Sequence, residues 1–529
     1  MYYSLVDCAH ERIQINLPMD INCFPSEVLC CIFDFLSWTD RKRTSLVCRR
    51  WNGIINSDRY LRQAKLVLYN YTKVQFFSGV EVGLINIQRN IEFHSSAMLD
   101  TEEILTTVSE AFPSGEAVVE CVNLFLRSDH EQLCNLVIVN LPKLKQLKRL
   151  NILANEGFRT LNKGLQIESQ TLEYLKLSFY QHTPCHLHTP NLTSLNIVAR
   201  YQSDSDLLHA VSRQLSELTV IFQSKDLVAQ LFLCNFENLE KLHITIENDK
   251  YLPYTVSPTP VSSWNELNVF IGSIRRLKTL EVVDKCNMLR HNYLKVFTHA
   301  ENLEYLTVNY IILDWTIVEF ISYFKKLQYL NLRGCSTAGE PIRLDLPHLK
   351  ELLMPYKHYS TLPCTNLCHL TTLSYSSSQK NHAQFIHQVT KTFTNLRTLN
   401  LLNFDYELSS CAFEFLDHLR LLKTLTIRDM SVSNQLFINC PQLPSLQKLD
   451  LNTIVTEISL LECFPQKFRH LYKLNIDNCF FYIFTTDETK NQITFAQLRN
   501  RMPRCRISTI DSTVFTNEQY DQNPIYIPG

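Results

Sequence analysis

Glycine is sparse in this chain, at 10 residues in 529, and neither a G-x-G-x-x-G nor a G-x-x-x-x-G-K-[ST] pattern occurs. Phosphate-cradling loops need glycines so that backbone N–H groups can approach the anion, and that class of site is excluded. Excess charge of either sign is missing too. The 51 basic and 52 acidic side chains leave a formal net charge of -1, and the longest basic run is Arg41-Lys42-Arg43. Nucleic acid requires a concentrated positive surface, so it is not an expected partner. No apolar stretch approaches the roughly 20 residues that span a bilayer, so no membrane span is expected. Residues 1–19 include Asp7, Glu11 and Arg12 and lack the apolar core of a secretory signal.

What is present is apolar and globular: 45% hydrophobic against 19% charged residues. That balance excludes a mostly disordered chain, and the length calls for several domains or a repeat. The 18 cysteines are scattered mostly singly. They read as reduced thiols of an intracellular protein, in cytoplasm or nucleus, and not as a disulfide framework. The N-x-T sequons at Asn70 and Asn191 are then chance matches.

One pattern, apolar-x-x-apolar-x-apolar with Leu at the first two apolar positions, organises most of the chain. It runs as Leu147-x-x-Leu150-x-Ile152, then from Leu172, Leu192, Leu215, Leu239, Leu277, Leu303, Leu327, Leu349, Leu370, Leu396, Leu422, Leu446 and Leu471. Successive starts are 20 to 26 residues apart, except for 38 between Leu239 and Leu277. Two weaker units precede the series, at Val82-x-x-Ile85-x-Ile87 and Val119-x-x-Val122-x-Leu124. The period is that of leucine-rich repeats. The second and third apolar residues are two apart, so they share one face of a short strand. No unit can bury its leucines alone. The expected fold is therefore an α/β solenoid, a horseshoe with parallel strands on its concave face and helical returns outside, such as Trp264 to Ile274 and Phe385 to Phe393. Cys335 and Cys479, three residues past the third apolar position, resemble the cysteine-containing repeat subtype.

Residues 21–55 differ in character. Pro25 and Glu27 suit a helix's first turn. Val28, Leu29, Ile32, Phe33 and Leu36 form a helical stripe, Ser37 to Asp40 read as a turn and N-cap, and Val47, Trp51 and Ile54 share a later face. The run Phe24-Pro25-Ser26-Glu27-Val28-Leu29, Ile32-Phe33, Leu36, Asp40 and Val47-Cys48-Arg49-Arg50-Trp51 resembles the F-box. It departs at Phe24 and Arg41, where that family has Leu. The resemblance implies binding to the Skp adaptor, and through it to a cullin scaffold and its RING subunit. It places the adaptor-facing surface on Phe24, Pro25, Leu29, Ile32, Leu36 and Val47, with Phe33 and Trp51 in the trio's own core. The expected divisions are an N-terminal segment 1–18, the F-box 19–65, the repeats 66–510 and a tail 511–529.

In that family the repeats hold the protein to be ubiquitinated. The outward strand positions flank the buried ones: Tyr174, Lys176, Lys241, His243, Thr279, Glu281, Thr307, Asn331, Glu351, Arg428, Lys448, Asp450, Lys473 and Asp477 among them. Tyr305 and Tyr329 fall at one position of consecutive units, followed by Arg333. Those three are the candidate substrate-binding residues, because aromatic and Arg side chains dominate interface hot spots. The insertion Asn248 to Ser263 is a further candidate binding loop.

Signals for chemistry are few. His182, Cys185, His186 and His188 lack a second Cys-x-x-Cys, Cys364 and Cys368 lack a partner motif, and no hydrolase signature occurs. No catalytic residue, metal or cofactor is expected. The sequence reads as a ligase's non-catalytic substrate-recognition subunit, with a repeat-built interaction scaffold that delivers no substrate as the alternative.

Overall fold

The computed structural model describes residues 21–55, 57, 65–69, 90–94, 119–126, 134–135, 138–139, 141–154, 164–180, 182–223, 225–247, 270–285, 296–313, 315–333, 335–337, 344–353, 370–377, 382–404, 413–432, 434–482, 495–509 and 512–515. The chain forms two compact units, 1–158 and 159–529. The Val82–Ile87 unit, the Asn248–Ser263 insertion, Cys364 and Cys368 lie outside the described residues.

The first unit begins with three helices, α1 (Ser26–Asp34), α2 (Trp38–Ser45) and α3 (Arg49–Ile55). Ser37 caps α2: its Oγ accepts the Asp40 N–H at 3.2 Å and its hydroxyl donates to the Asp40 carboxylate at 2.6 Å. Leu29, Phe33, Trp51 and Ile55 are buried together, with Phe24, Cys30, Leu36, Cys48 and Ile54 packed around them. Phe33 and Trp51 meet edge-on at 5.3 Å between ring centroids. Two arginines clip the ends of α1. Arg41 donates from Nε to the Phe33 carbonyl at 2.8 Å and from Nη2 to the Asp34 carbonyl at 3.3 Å. The Phe33 carbonyl also takes the Leu36 N–H at 3.0 Å, so Arg41 adds donors to the C-terminal end of α1, where carbonyls lack helical partners. Arg50 donates to the carbonyls of Asn22 and Phe24 ahead of α1.

Four parallel strands follow in the same unit: β1 (Lys65–Tyr69), β2 (Asn90–His94), β3 (Cys121–Leu126) and β4 (Arg149–Ala154), each paired with the next. In register, β2 sets Ile91 and Phe93 opposite Val122 and Leu124.

In the second unit the strands are β5 (Leu165–Glu168), β6 (Tyr174–Ser178), β7 (Cys185–His188), β8 (Ser194–Ala199), β9 (Glu217–Phe222), β10 (Lys241–Ile246), β11 (Thr279–Asp284) and β12 (Tyr305–Asn309). They continue as β13 (Ile312–Leu313), β14 (Tyr329–Asn331), β15 (Ser336–Thr337), β16 (Glu351–Leu353), β17 (Thr372–Ser377) and β18 (Thr398–Phe404). The last are β19 (Thr424–Ser431), β20 (Lys448–Glu457), β21 (Lys473–Asp477), β22 (Phe480–Tyr482), β23 (Arg506–Ser508) and β24 (Thr513–Phe515). One parallel ladder runs from β6 to β23, with leucine set against leucine as far as β21 and Leu474 against Ile507 at its end. Shorter tracks pair β13 with β15 and β20 with β22 and β24. The main ladder ends at β23, before residue 510, and the shorter track reaches β24 at Thr513–Phe515, within the segment expected as a tail. This is a leucine-rich-repeat solenoid.

All fourteen leading leucines are buried, and so are their second partners. The residue three before a leading leucine is also covered at Leu144, Ile274, Ala300, Phe324, Leu346, Phe393, Leu419, Leu443 and Phe468. It accepts the leucine's N–H in a three-residue turn, for example Leu327 to Phe324 at 3.1 Å. That turn satisfies backbone groups which burial would otherwise strand. Between units a single carbonyl takes two N–H groups from the next repeat: Glu304 O from Gln328 and Tyr329, and Gln328 O from Lys350 and Glu351. Tyr310 and Asn478, just past β12 and β21, and Asp429 and Thr453, within the longer β19 and β20, all have φ between 51 and 61°. Each sits two residues after the third apolar position, so the corner has a left-handed residue in four repeats.

Returns are more varied than the helical ones expected. His382–Thr392 is a helix over the Phe385–Phe393 segment, and the described part of Trp264–Ile274 is helical too, α-helical at 270–273 and running into the 3-10 stretch Ile274–Arg276. The shortest repeat interval, from Leu172 to Leu192, returns through β7, paired with β5. A strand advances about 3.3 Å per residue against 1.5 Å in a helix, so a strand return needs fewer residues. Gly164 opens β5 at φ 70°, where a Cβ would come within 3.0 Å of the Pro184 carbonyl.

Candidate functional site

Two surfaces gather the side chains that the fold does not use. On the helical trio, the stripe on α1 divides. Leu29, expected on the partner-facing surface, is fully buried with Phe33, so it belongs to the trio's core. The reason is the crossing of α3: the face of α1 that meets Trp51 and Ile55 takes Leu29 and Phe33 and turns their neighbours outward. Phe24 and Leu36 are half-buried against that core. Pro25, Val28 and Ile32 are exposed, and with Phe35 they are spaced by three or four residues, one side of a helix. Phe35 is 91% exposed, Leu46 85% and Val47 62%. Val28, Phe35 and Leu46 were not among the expected contact residues. Their apolar character was visible in the sequence, but their exposure depends on how the helices cross. Exposed apolar side chains grouped on so small a domain mark an interaction surface.

The second surface is the outward face of the repeat strands. Every outward residue named from the pattern, from Tyr174 to Asp477, is exposed or half-buried, and its in-pattern neighbours are buried. Tyr305 and Tyr329 are directly opposed on β12 and β14. Their rings lie 6.0 Å apart at 35°, with Tyr305 45% exposed and Tyr329 half-buried. Glu351 on β16 continues the same row. Burial pushes the Tyr329 phenol above its ordinary range, with the Glu351 and Glu281 carboxylates adding to the effect. Burial likewise raises the Glu351 carboxyl. Glu281 on β11 accepts from His243 at 2.8 Å, and that bond holds its pKa down. Arg333 follows the end of β14, exposed, its backbone N–H donating to Asn331 Oδ1 at 3.0 Å.

Reactive chemistry finds little footing among the described residues. No group of three or more His, Cys, Asp and Glu side chains is placed to hold a metal ion. In β7 the side chains of His186 and His188 are exposed on one face and Cys185 is half-buried on the other, while His182 packs edge-on against Tyr201 at 5.2 Å. Cys335 and Cys479 donate to the carbonyls of Val308 at 2.9 Å and Leu451 at 3.4 Å, each the third apolar residue of the preceding repeat. Burial pushes both thiols up to about 12, so they stay protonated at neutral pH and act as packing residues. No described helix is long and apolar enough to cross a membrane.

Comparison with known proteins agrees with the residue-level reading. Residues 21–64 match the F-box-like family. Among solved structures, an internalin from Listeria monocytogenes is similar at 12% identity over 70% of this chain and 82% of that chain, with a TM-score of 0.29. A search of curated proteins finds no match. The repeat fold rests on the strand register and the buried leucines described above.

Proposed function

We propose, from a chain that joins an F-box-like domain at 21–64 to leucine-rich repeats, a substrate-recognising subunit of a Skp–cullin–F-box ubiquitin ligase. F-box and leucine-rich-repeat domains are typically non-catalytic and serve protein interaction. In this reading the F-box, with boundaries near 19–65, binds the Skp adaptor, which brings the cullin and RING subunit. The repeats from 66 onward hold the protein to be modified, with Tyr305, Tyr329 and Arg333 as the proposed contacts. The observation that carries the reading is the set of open apolar side chains on the trio: Pro25, Val28, Ile32, Phe35, Leu46 and Val47. A domain that has already closed a core around Leu29 and Trp51 gains nothing from leaving them in water unless another chain covers them.

The test uses Ile32→Ala with Val47→Ala in the full chain. Covering one such side chain contributes roughly 1.5–3 kcal/mol, so losing two should weaken adaptor binding at least about hundredfold. Both side chains are exposed, so the melting temperature should stay within about 1 °C of the parent. Adaptor pulled down unchanged by the double variant would refute the assignment. Adaptor captured without cullin would instead mark a scaffold that delivers no substrate.

A further inference from the structure

Resting on the reading that the repeat face holds a client protein, we propose that Tyr305, Tyr329 and Glu351 together receive a cationic side chain, arginine or lysine, from the bound polypeptide. The ladder sets the three at one position of three neighbouring strands, roughly 4.8 Å between strands. Two tilted rings 6.0 Å apart offer π faces, and the carboxylate stands on the next strand, opposite Tyr329. A cation held over such rings is attracted by their quadrupoles, more so where water is partly excluded.

Charge complementarity selects this occupant. Among the described residues, other carboxylates of the outward face already have partners: Glu281 has His243 at 2.8 Å and Asp450 has Lys448 at 2.5 Å. Glu351 has no ion-pair partner there, although it is half-buried. A carboxylate that has lost water without gaining a cation is stabilised when one arrives. The Tyr329 phenol, raised first by burial, is raised further by the Glu351 and Glu281 carboxylates. An anionic segment would meet their field unfavourably. The basic residues nearest by position do not cancel it: Lys241 is separated from the rings by the Thr279 strand, and Arg333 lies beyond the end of β14. The face is an open sheet, so the ligand it fits is a side chain projecting from a polypeptide.

The experiment uses immobilised pools of short acetylated peptides, randomised around one fixed residue: arginine, lysine, citrulline or glutamate. The full-length chain is the probe. Citrulline keeps the shape of arginine and removes its charge. The wild-type chain should retain the arginine or lysine pool about tenfold over citrulline and glutamate. Glu351→Gln should remove most of that preference. Tyr305→Leu/Tyr329→Leu should remove it too, while Tyr305→Phe/Tyr329→Phe, which keeps the rings, should preserve it. Equal retention of arginine and citrulline pools by the wild type, or a preference that survives Glu351→Gln, overturns the cationic assignment and leaves the repeat face as a client surface. A wild-type chain that retains no pool overturns both. The wild-type comparison needs no variant, so it decides the question even where a variant folds poorly.

Discussion

The helical trio and the repeat ladder draw on the same apolar residue types and treat them in opposite ways. In the ladder every leading leucine is covered, because each unit has another stacked against it. In the trio, Leu29, Phe33, Trp51 and Ile55 close a small core, and Phe35, Leu46 and Val47 stay in water. The difference is one of neighbours and not of composition. A repeat supplies its own partner in the next repeat, whereas the trio's Phe35, Leu46 and Val47 remain exposed. The same contrast appears in polar groups. The ladder satisfies its backbone through shared carbonyls between units, and the trio uses the side chains of Arg41 and Arg50.

The sharpest way to break that comparison is Leu330→Asp. Leu330 lies fully buried on β14 between Leu306 and Leu352, so an unpaired charge there costs at least roughly 3–5 kcal/mol. Because stacked units share their core, hydrogen exchange should speed up in β12 and β16 as well as in β14. Asn331→Asp, one residue along and facing out, should change stability by about 0.5 kcal/mol or less. Its oxygen can still accept the Arg333 N–H. Equal effects from the two substitutions would show that the alternation does not divide inside from outside.

In the trio the corresponding pair is Leu29→Ala against Phe35→Ala. The first empties a closed core and should cost roughly 2–5 kcal/mol, a large share of a small domain's stability. Far-ultraviolet circular dichroism should then show loss of the helices. Phe35→Ala removes a side chain that touches little in this chain, so far-ultraviolet circular dichroism and melting should hardly change. Were Phe35→Ala to unfold the trio and Leu29→Ala to leave it intact, the division of the α1 stripe would be reversed.

These pairs also show where sequence alone sufficed. The ladder was legible because a fixed period writes the same burial into every unit: fourteen leading leucines were named and fourteen are buried. The alternation that follows from strand geometry placed Tyr305 and Tyr329 outward and side by side. The ladder's ends were not legible, since Ile91 with Phe93 and Ile507 pair in register without the flanking leucines. The covered position three before a leading leucine was missed because it varies among Ala, Leu, Ile, Phe, Ser and Thr. Returns were mispredicted where length, not pattern, decided between strand and helix. In the trio the 3.6-residue period identified an apolar stripe, but the choice of Leu29 over Val28 or Ile32 for the core is made by where α3 crosses. Glu351 had no signal beyond its outward position: its neighbours come from two other strands.

Arg41 supplies the mildest test and the one that reads the contrast in polar groups. The F-box pattern has Leu at this position, so Arg41→Leu restores the family's residue. On that ground alone the change would be neutral or stabilising. The structure argues otherwise, because the guanidinium donates to the Phe33 and Asp34 carbonyls at the C-terminal end of α1. Leucine has no donor, and the positive charge that favours a helix C-terminus is lost with it. The carbonyls are partly open to water, so solvent recovers some of the loss. The net destabilisation should be about 1 kcal/mol, read as a lower melting temperature of the trio. Arg41→Lys should recover only part of it, since an ammonium is a point donor and cannot span two carbonyls as the planar fork does. Hydrogen exchange at the last turn of α1 should rise in the same order, Arg, Lys, Leu. A leucine variant as stable as the parent would show that the trio, like the ladder, holds itself together by apolar contact alone.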